Sequence, residues 1–317
     1  MSAQFRLFGS EMSPYSVKVR AALRFKRLPH AWVARNAATE AEFQRHARLP
    51  LVPTILFPDG TPMQDSTPIL HTIEAAHPEP RLDPEDAVHS FLSDLLEEFG
   101  DEWVNKLMFH HRWHAPLDRA AAAHILAHLY LPESDPTALG PVADQIADRM
   151  SGRLHVVGSS PENATALSAW LATLVGLLEP HLVRWRYLLG ARPCMGDLGV
   201  AAQIYEAAID PTAGALIRAR GPSVLNWCHR VIDDPRVEGD LEPWDALEPT
   251  LLPLLSHVGS HFLRWSRANA EAVAAARTDM TVELGGIHLR QAPQKYAARS
   301  LGALQQRLAA VAGDDTL

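Results

Sequence analysis

The sequence predicts an α/β domain over residues 1–80 followed by an all-α domain over residues 85–317. Three observations predict it. The first stretch alternates short apolar strand runs with amphipathic helical runs, in the order βαβ then ββα. Beyond about residue 85 strand signals nearly vanish and apolar residues recur at helical spacing. At 317 residues, with 47% hydrophobic and 21% charged content, the chain has ordinary globular composition and length for two cores.

Phe5, Leu7 and Phe8 supply the first strand, and Gly9 and Ser10 break it. Ser13 stands where a helix N-cap belongs, with Pro14 at the first helical position. Val17, Ala21, Phe25 and Leu28 then mark a helix face, with Lys18, Arg20, Arg24 and Arg27 between them. Residues 31–33 read as a second strand, 39–46 as a short helix and 54–57 as a third strand. Pro58-Asp59-Gly60 predicts a hairpin to a fourth strand at 62–64. Ser66 caps a helix over 67–76, which His77-Pro78-Glu79-Pro80 ends.

In the second domain Val88, Leu92, Leu95, Phe99 and Trp103 share one helical face, and Gly100 is expected to bend that helix. Helices follow over 120–131 and 141–156, then a long one over 164–189 interrupted at Pro180. Beyond about residue 240 an extension carries a helix over 251–275, a hairpin around Gly285-Gly286 and a last helix over 297–311.

A formal net charge of -8 argues against nucleic-acid and anionic-membrane partners. Two cysteines, Cys194 and Cys228, exclude a disulfide framework and a thiolate zinc site. No signal-like leader or membrane-length apolar run stands out, so a reducing cytoplasm is the expectation.

A strand running into a helix N-terminus aims free N–H groups and a positive dipole end at a cleft, which suits an anion or a thiolate. Ser13-Pro14-Tyr15-Ser16 resembles the Cys-Pro-Tyr-Cys motif of glutaredoxins with both sulfurs replaced by hydroxyls. The longer run from Ser13 to Leu23 resembles the first strand–helix unit of serine-type glutathione S-transferases. Residues 51–56 (Leu-Val-Pro-Thr-Ile-Leu) are similar to that family's cis-proline turn and third strand. Residues 63–70 (Met-Gln-Asp-Ser-Thr-Pro-Ile-Leu) are similar to its fourth strand and acid–serine pair. Asp197 matches the buried helix start of the family's second domain, with Cys194 in place of the usual Ser or Thr cap. The resemblance covers roughly residues 5–235 and implies a thioredoxin-like glutathione-binding domain, an all-helical acceptor-substrate domain and a cis Val52–Pro53 bond.

The resemblance also implies a chemistry. A free thiol has a pKa near about 8.5, and lowering it by about two units needs roughly 2.7 kcal/mol of preference for the anion. A hydroxyl donating to sulfur supplies about 1.5–3 kcal/mol and a helix N-terminus about 0.3–1. Ser13 is the hydroxyl that matches the family's motif; Ser16 and Tyr15 are the alternatives, and a plain N-cap also requires a serine at 13. For glutathione, the resemblance assigns backbone pairing to Val52 before Pro53, and the γ-glutamyl end to Asp65 and Ser66. Where the family often has Gly-Lys this chain has Leu49-Pro50-Leu51, which leaves Arg48 or Gln64 to meet a carboxylate.

The first helix of the second domain is expected to face Ser13, with Trp103, Met108, His111 and Trp113 shaping an acceptor pocket for an apolar electrophile. His110 and His114 have metal-ligand spacing and Glu97 and Asp101 a similar one, but spacing supplies no fourth ligand and no metal is expected. The favoured reading is a cytoplasmic, homodimeric glutathione S-transferase-like enzyme that activates glutathione, as co-substrate, against a small electrophile. The alternatives are a non-catalytic binding or assembly protein, and a glutathione-dependent lyase, isomerase or dehalogenase.

Overall fold

In a computed structural model, which describes residues 4–234 and 238–312, the first domain is a four-stranded sheet in the order β2-β1-β3-β4. Its strands are β1 (Phe5–Gly9), β2 (His30–Ala34), β3 (Thr54–Leu56) and β4 (Pro62–Gln64). β1 and β2 run parallel through the crossover helix α1 (Pro14–Phe25), and β3 and β4 add as an antiparallel hairpin. Helices α2 (Glu40–His46) and α3 (Ser66–Ala76) complete the domain. The alternating apolar pattern of β1 buries Phe5 and Leu7 in the main core, while Phe8 points the other way onto Phe43 of α2.

The second region begins with α4 (Ala87–Phe99), passes through a π turn (Gly100–Val104) and continues as α5 (Asn105–His114). The expected bend at Gly100 is this π turn. A side chain there has no room: a Cβ on Gly100 would lie 2.4 Å from the Gly199 carbonyl carbon. Helices α6 (Pro116–Tyr130), α7 (Pro136–Ser151), α8 (Ala164–Arg184) and α9 (Met195–Ile209) follow. Then come α10 (Pro211–Arg220) and α11 (Pro222–Ile232). α9 is the central helix, buried against α1, α4 and α11.

Its start is a capping box between Cys194 and Asp197, in which the Asp197 carboxylate makes the most contacts. The Asp197 carboxylate accepts from the backbone N–H of Cys194 (3.0 Å) and Leu188 (2.9 Å) and from the Trp227 indole (2.8 Å). Cys194 donates its thiol to the same carboxylate, so the poor acceptor strength of sulfur costs the helix little.

Three expectations change. α8 runs unbroken through Pro180 to Arg184, with Pro180 and Gly176 on its exposed face. This helix is also long and apolar enough to cross a bilayer, with mean hydropathy 1.4, but half of that stretch is packed inside the fold. The helix expected over 251–275 starts earlier, as α12 (Trp244–His257), and passes through a second π turn (Val258–Leu263) into α13 (Arg264–Ala274).

The hairpin forms at β5 (Met280–Leu284) and β6 (Ile287–Gln291), with Gly285 and Gly286 at positive φ. The last helix, α14 (Lys295–Ala312), lies across α13 and α4.

Candidate active site

The sheet register builds one end of the site. Phe8 pairs with Thr54, and Thr54 pairs with Gln64. The turn after β1, the peptide before β3 and the residues after β4 therefore come together at one end of the sheet. These are Ser10–Ser13, Val52–Pro53 and Asp65–Ser66. The Val52–Pro53 bond is cis, and Asp65 adopts φ 82°.

Ser13 caps α1 with an extended backbone, and its Oγ accepts from the Ser16 N–H at 3.3 Å. That leaves the Ser13 hydroxyl proton to donate elsewhere. Ser16 is fully buried beneath Gly9, with its Oγ 3.4 Å from the Ser10 N–H. Tyr15 donates its hydroxyl to the Asp101 carbonyl at 3.0 Å, and burial, then the charges of Asp101 and Glu102, push its pKa well up. Arg112 anchors the same turn from the helical side. Its guanidinium donates to the Met12 carbonyl (3.1 Å) while paired with Glu206 and Asp210, all three side chains buried.

Among the described residues no hydrogen bond takes the Val52 N–H or C=O. Gln64 is engaged in structure: its Oε1 accepts from the Leu49 N–H and its Nε2 faces the carbonyls of Leu49 and Leu51, each at 2.9 Å. It braces the loop where the lysine is missing. The Asp65 carboxylate accepts from the hydroxyl of Tyr296, on α14, at 2.9 Å. Ser66 is buried at the first position of α3, its Oγ 3.5 Å from Asp101 Oδ2.

The wall opposite is a buried charge cluster on α4 and its π turn. Lys18, fully enclosed, pairs with Glu97 and, at 2.7 Å, with Asp101; Thr67 donates to Glu97 at 2.6 Å. Burial pulls the Lys18 ammonium down, but Asp101 and Glu97 outweigh it and hold it charged. Burial likewise raises Glu97, and Lys18 with Thr67 overcomes that and keeps it ionised. Lys18, with Lys106 beside Glu102, does not offset the desolvation of the other acids: burial pushes Asp101, Glu98 and Glu102 each up to about 7.

The four residues expected to line an acceptor pocket lie inside the cores instead. Trp103 is fully buried against Trp170 (5.4 Å between ring centroids) and Trp265 (6.1 Å), and Met108 joins the same cluster. Trp113 is buried in a second cluster that includes Met12, and His111 is buried beside it in sequence. For Trp103 the physical reason is the extension, whose Phe262 and Trp265 pack onto Phe99 and Trp103; Trp113 is covered instead by Met12 and residues of α6 and α7. His110 sits between Ser159 (2.8 Å) and Ser168 (3.3 Å), and burial pushes it down to about 3. Tyr296 and Arg112 carry no sequence signal of their place at the site. Tyr296 reaches a partner 231 positions away, and no local pattern announces such a contact.

Comparison with known proteins agrees with the fold of the first domain. Residues 7–81 match the family model for the glutathione S-transferase N-terminal domain. No curated protein matches the chain. Among solved structures it is similar to a glutathione S-transferase of Methylobacterium radiotolerans in complex with glutathione sulfonate, at 22% identity and TM-score 0.42, over 75% of this chain and 98% of that one. It is also similar to a glutathione S-transferase of Rhodospirillum rubrum F11, at 19% identity and TM-score 0.47, over 93% and 99%. Glutaredoxin 2 of Salmonella typhimurium in complex with glutathione is similar at 15% identity and TM-score 0.47, over 74% and 98%.

Proposed function

We propose that the chain, whose residues 7–81 match the glutathione S-transferase N-terminal domain, is a member of that superfamily that binds glutathione and stabilises the thiolate at Ser13 for attack on a small electrophile. The observation that carries the reading is the sheet register, which brings Ser13, Val52 and Asp65–Ser66 to one end. Val52 offers an unpaired N–H and C=O to the cysteinyl backbone. Asp65 offers a carboxylate to the ammonium, and Ser66 with the α3 N-terminus offers donors to the carboxylate. The Ser13 hydroxyl has its proton free for sulfur, whereas Ser16 is sealed and the Tyr15 proton is committed to Asp101.

A second reading, a binding protein on the same fold, draws on two observations: Tyr296 already bonds Asp65, and Trp103, Met108, His111 and Trp113 are buried. Calorimetric titration with glutathione followed by conjugation of a generic aromatic electrophile separates the two. Binding with turnover is expected; binding without turnover supports the second reading, and no binding removes the first. The reading carries a homodimer and a cytoplasmic location with it. Light scattering that returns a single-chain mass across micromolar concentrations removes the dimer.

A further inference from the structure

α14 presents one row of donors to the acids of the first two domains' junction. Tyr296, Ser300 and Arg307 stand at i, i+4 and i+11, which is one helical face. Tyr296 donates to Asp65 Oδ2 at 2.9 Å. Ser300 donates to Glu98, and Arg307 pairs with Asp94 at 2.6 Å. The helix thus covers a strip of carboxylates that starts at the γ-glutamyl end of the proposed glutathione site.

From this contact we infer that Tyr296 is a specificity-determining residue of the Asp65 subsite: its hydroxyl occupies the place of the ligand's ammonium and must be displaced by it. The inference rests on the glutathione reading above. A phenol brings a neutral donor to the carboxylate, and an ammonium brings a charged one, which bonds roughly twice as strongly. A ligand with a charged amine therefore wins the exchange, and one without it does not. Tyr296 is 46% exposed, so it leaves the contact without opening a core. Arg307 and the packing of α14 on α13 hold the helix in place meanwhile. Asp65 thus prefers a primary amine over an otherwise identical peptide that lacks it, and Tyr296 narrows that preference by the bond the amine must break.

The test is Tyr296→Phe, which keeps the ring and removes the hydroxyl, with calorimetric titration of the full chain by glutathione and by the analogue in which glutaryl replaces γ-glutamyl. The variant is expected to bind glutathione about three- to tenfold more tightly than the unaltered chain, the factor of one lost neutral hydrogen bond. Its affinity for the deaminated analogue is expected to be unchanged. Unchanged or weaker glutathione binding overturns the inference, as does an equal gain for both peptides, which would mean a general opening of the cleft. If the unaltered chain binds glutathione and only the Tyr296 effect is missing, the inference alone falls. If neither protein binds glutathione at all, the proposed function fails and the inference with it.

Discussion

The sheet end and the helical wall face each other across the site, and they are held by different kinds of force. At the sheet end, backbone ladders place Ser13, Val52 and Asp65, and each position follows from a pairing such as Phe8 with Thr54. At the wall, Lys18, Glu97 and Asp101 are held by buried charge, and Trp103 by aromatic packing with Trp170 and Trp265. Hydrogen-bond registers are short-range and discrete. Buried charge and packing depend on everything that covers them, here an extension of the chain beyond residue 240. The difference predicts that the wall sets stability and its pH dependence, while the sheet end sets ligand chemistry.

The largest effect is expected at the wall. Lys18→Met leaves Glu97 and Asp101 buried without their cation, and loss of one partner of a buried pair costs about 3–5 kcal/mol. Urea unfolding measures it. The exposed pair Arg267–Glu271 serves as control, and its removal should leave the midpoint in place. A Lys18→Met midpoint equal to that of the unaltered chain would break the distinction drawn here.

The pH dependence comes next. Asp101, Glu98 and Glu102 carry folded pKa values raised to about 7, above those of an unfolded carboxyl. The stability they contribute is full below about pH 4 and is lost as pH rises through about 7. Buried His110, lowered to about 3, and His181 and His257, lowered to about 4, act from the other side. Their contribution is present above about pH 6.5 and is lost as pH falls toward 4. Glu206, raised to about 7, and Asp94 and Asp210, raised to about 6, add to the carboxyl side, so stability should fall as pH rises from about 5 through about 7. Asp101→Asn should flatten the alkaline limb by about 1.4 kcal/mol per pH unit between about pH 5 and 7, the slope of one proton. Unfolding curves at half-unit steps check this, and an unaltered slope means that Asp101 is already ionised.

A smaller effect sharpens the sheet end. Ser66→Ala should weaken glutathione binding by about 0.5–1.5 kcal/mol at every pH and leave the bound thiol's pKa alone. Gln64→Ala should weaken it too, but through the loop of residues 49–51 that Gln64 braces, so its loss should come with faster amide exchange in that loop. If exchange there stays the same, Gln64 meets the ligand directly.

What could be read in the sequence follows the same divide. The strands, the Ser13 cap, the Pro58-Asp59-Gly60 turn and the hairpin at Gly285-Gly286 are local signals, and the elements formed where those signals stood. α10 and α11 carry the same kind of local signal, Pro211 and Pro222 at their first turns. The acceptor wall is not legible in this way, because amphipathic spacing names a buried face without naming what buries it. The spacing of Trp103 suits a cleft wall as well as a core, and Phe262 and Trp265 make that face core. Tyr296 on Asp65 lay beyond any local pattern.

The central claim is that the Ser13 hydroxyl stabilises a thiolate, and ultraviolet titration of the thiol of bound glutathione tests it most directly. Ser13→Ala removes one charge-assisted hydrogen bond and should raise the pKa of the bound thiol by about one to two units, with affinity largely retained. The conjugation defect should then shrink as pH rises from 6 to 9. A titration curve that does not move on Ser13→Ala would reduce Ser13 to a helix cap and contradict the account.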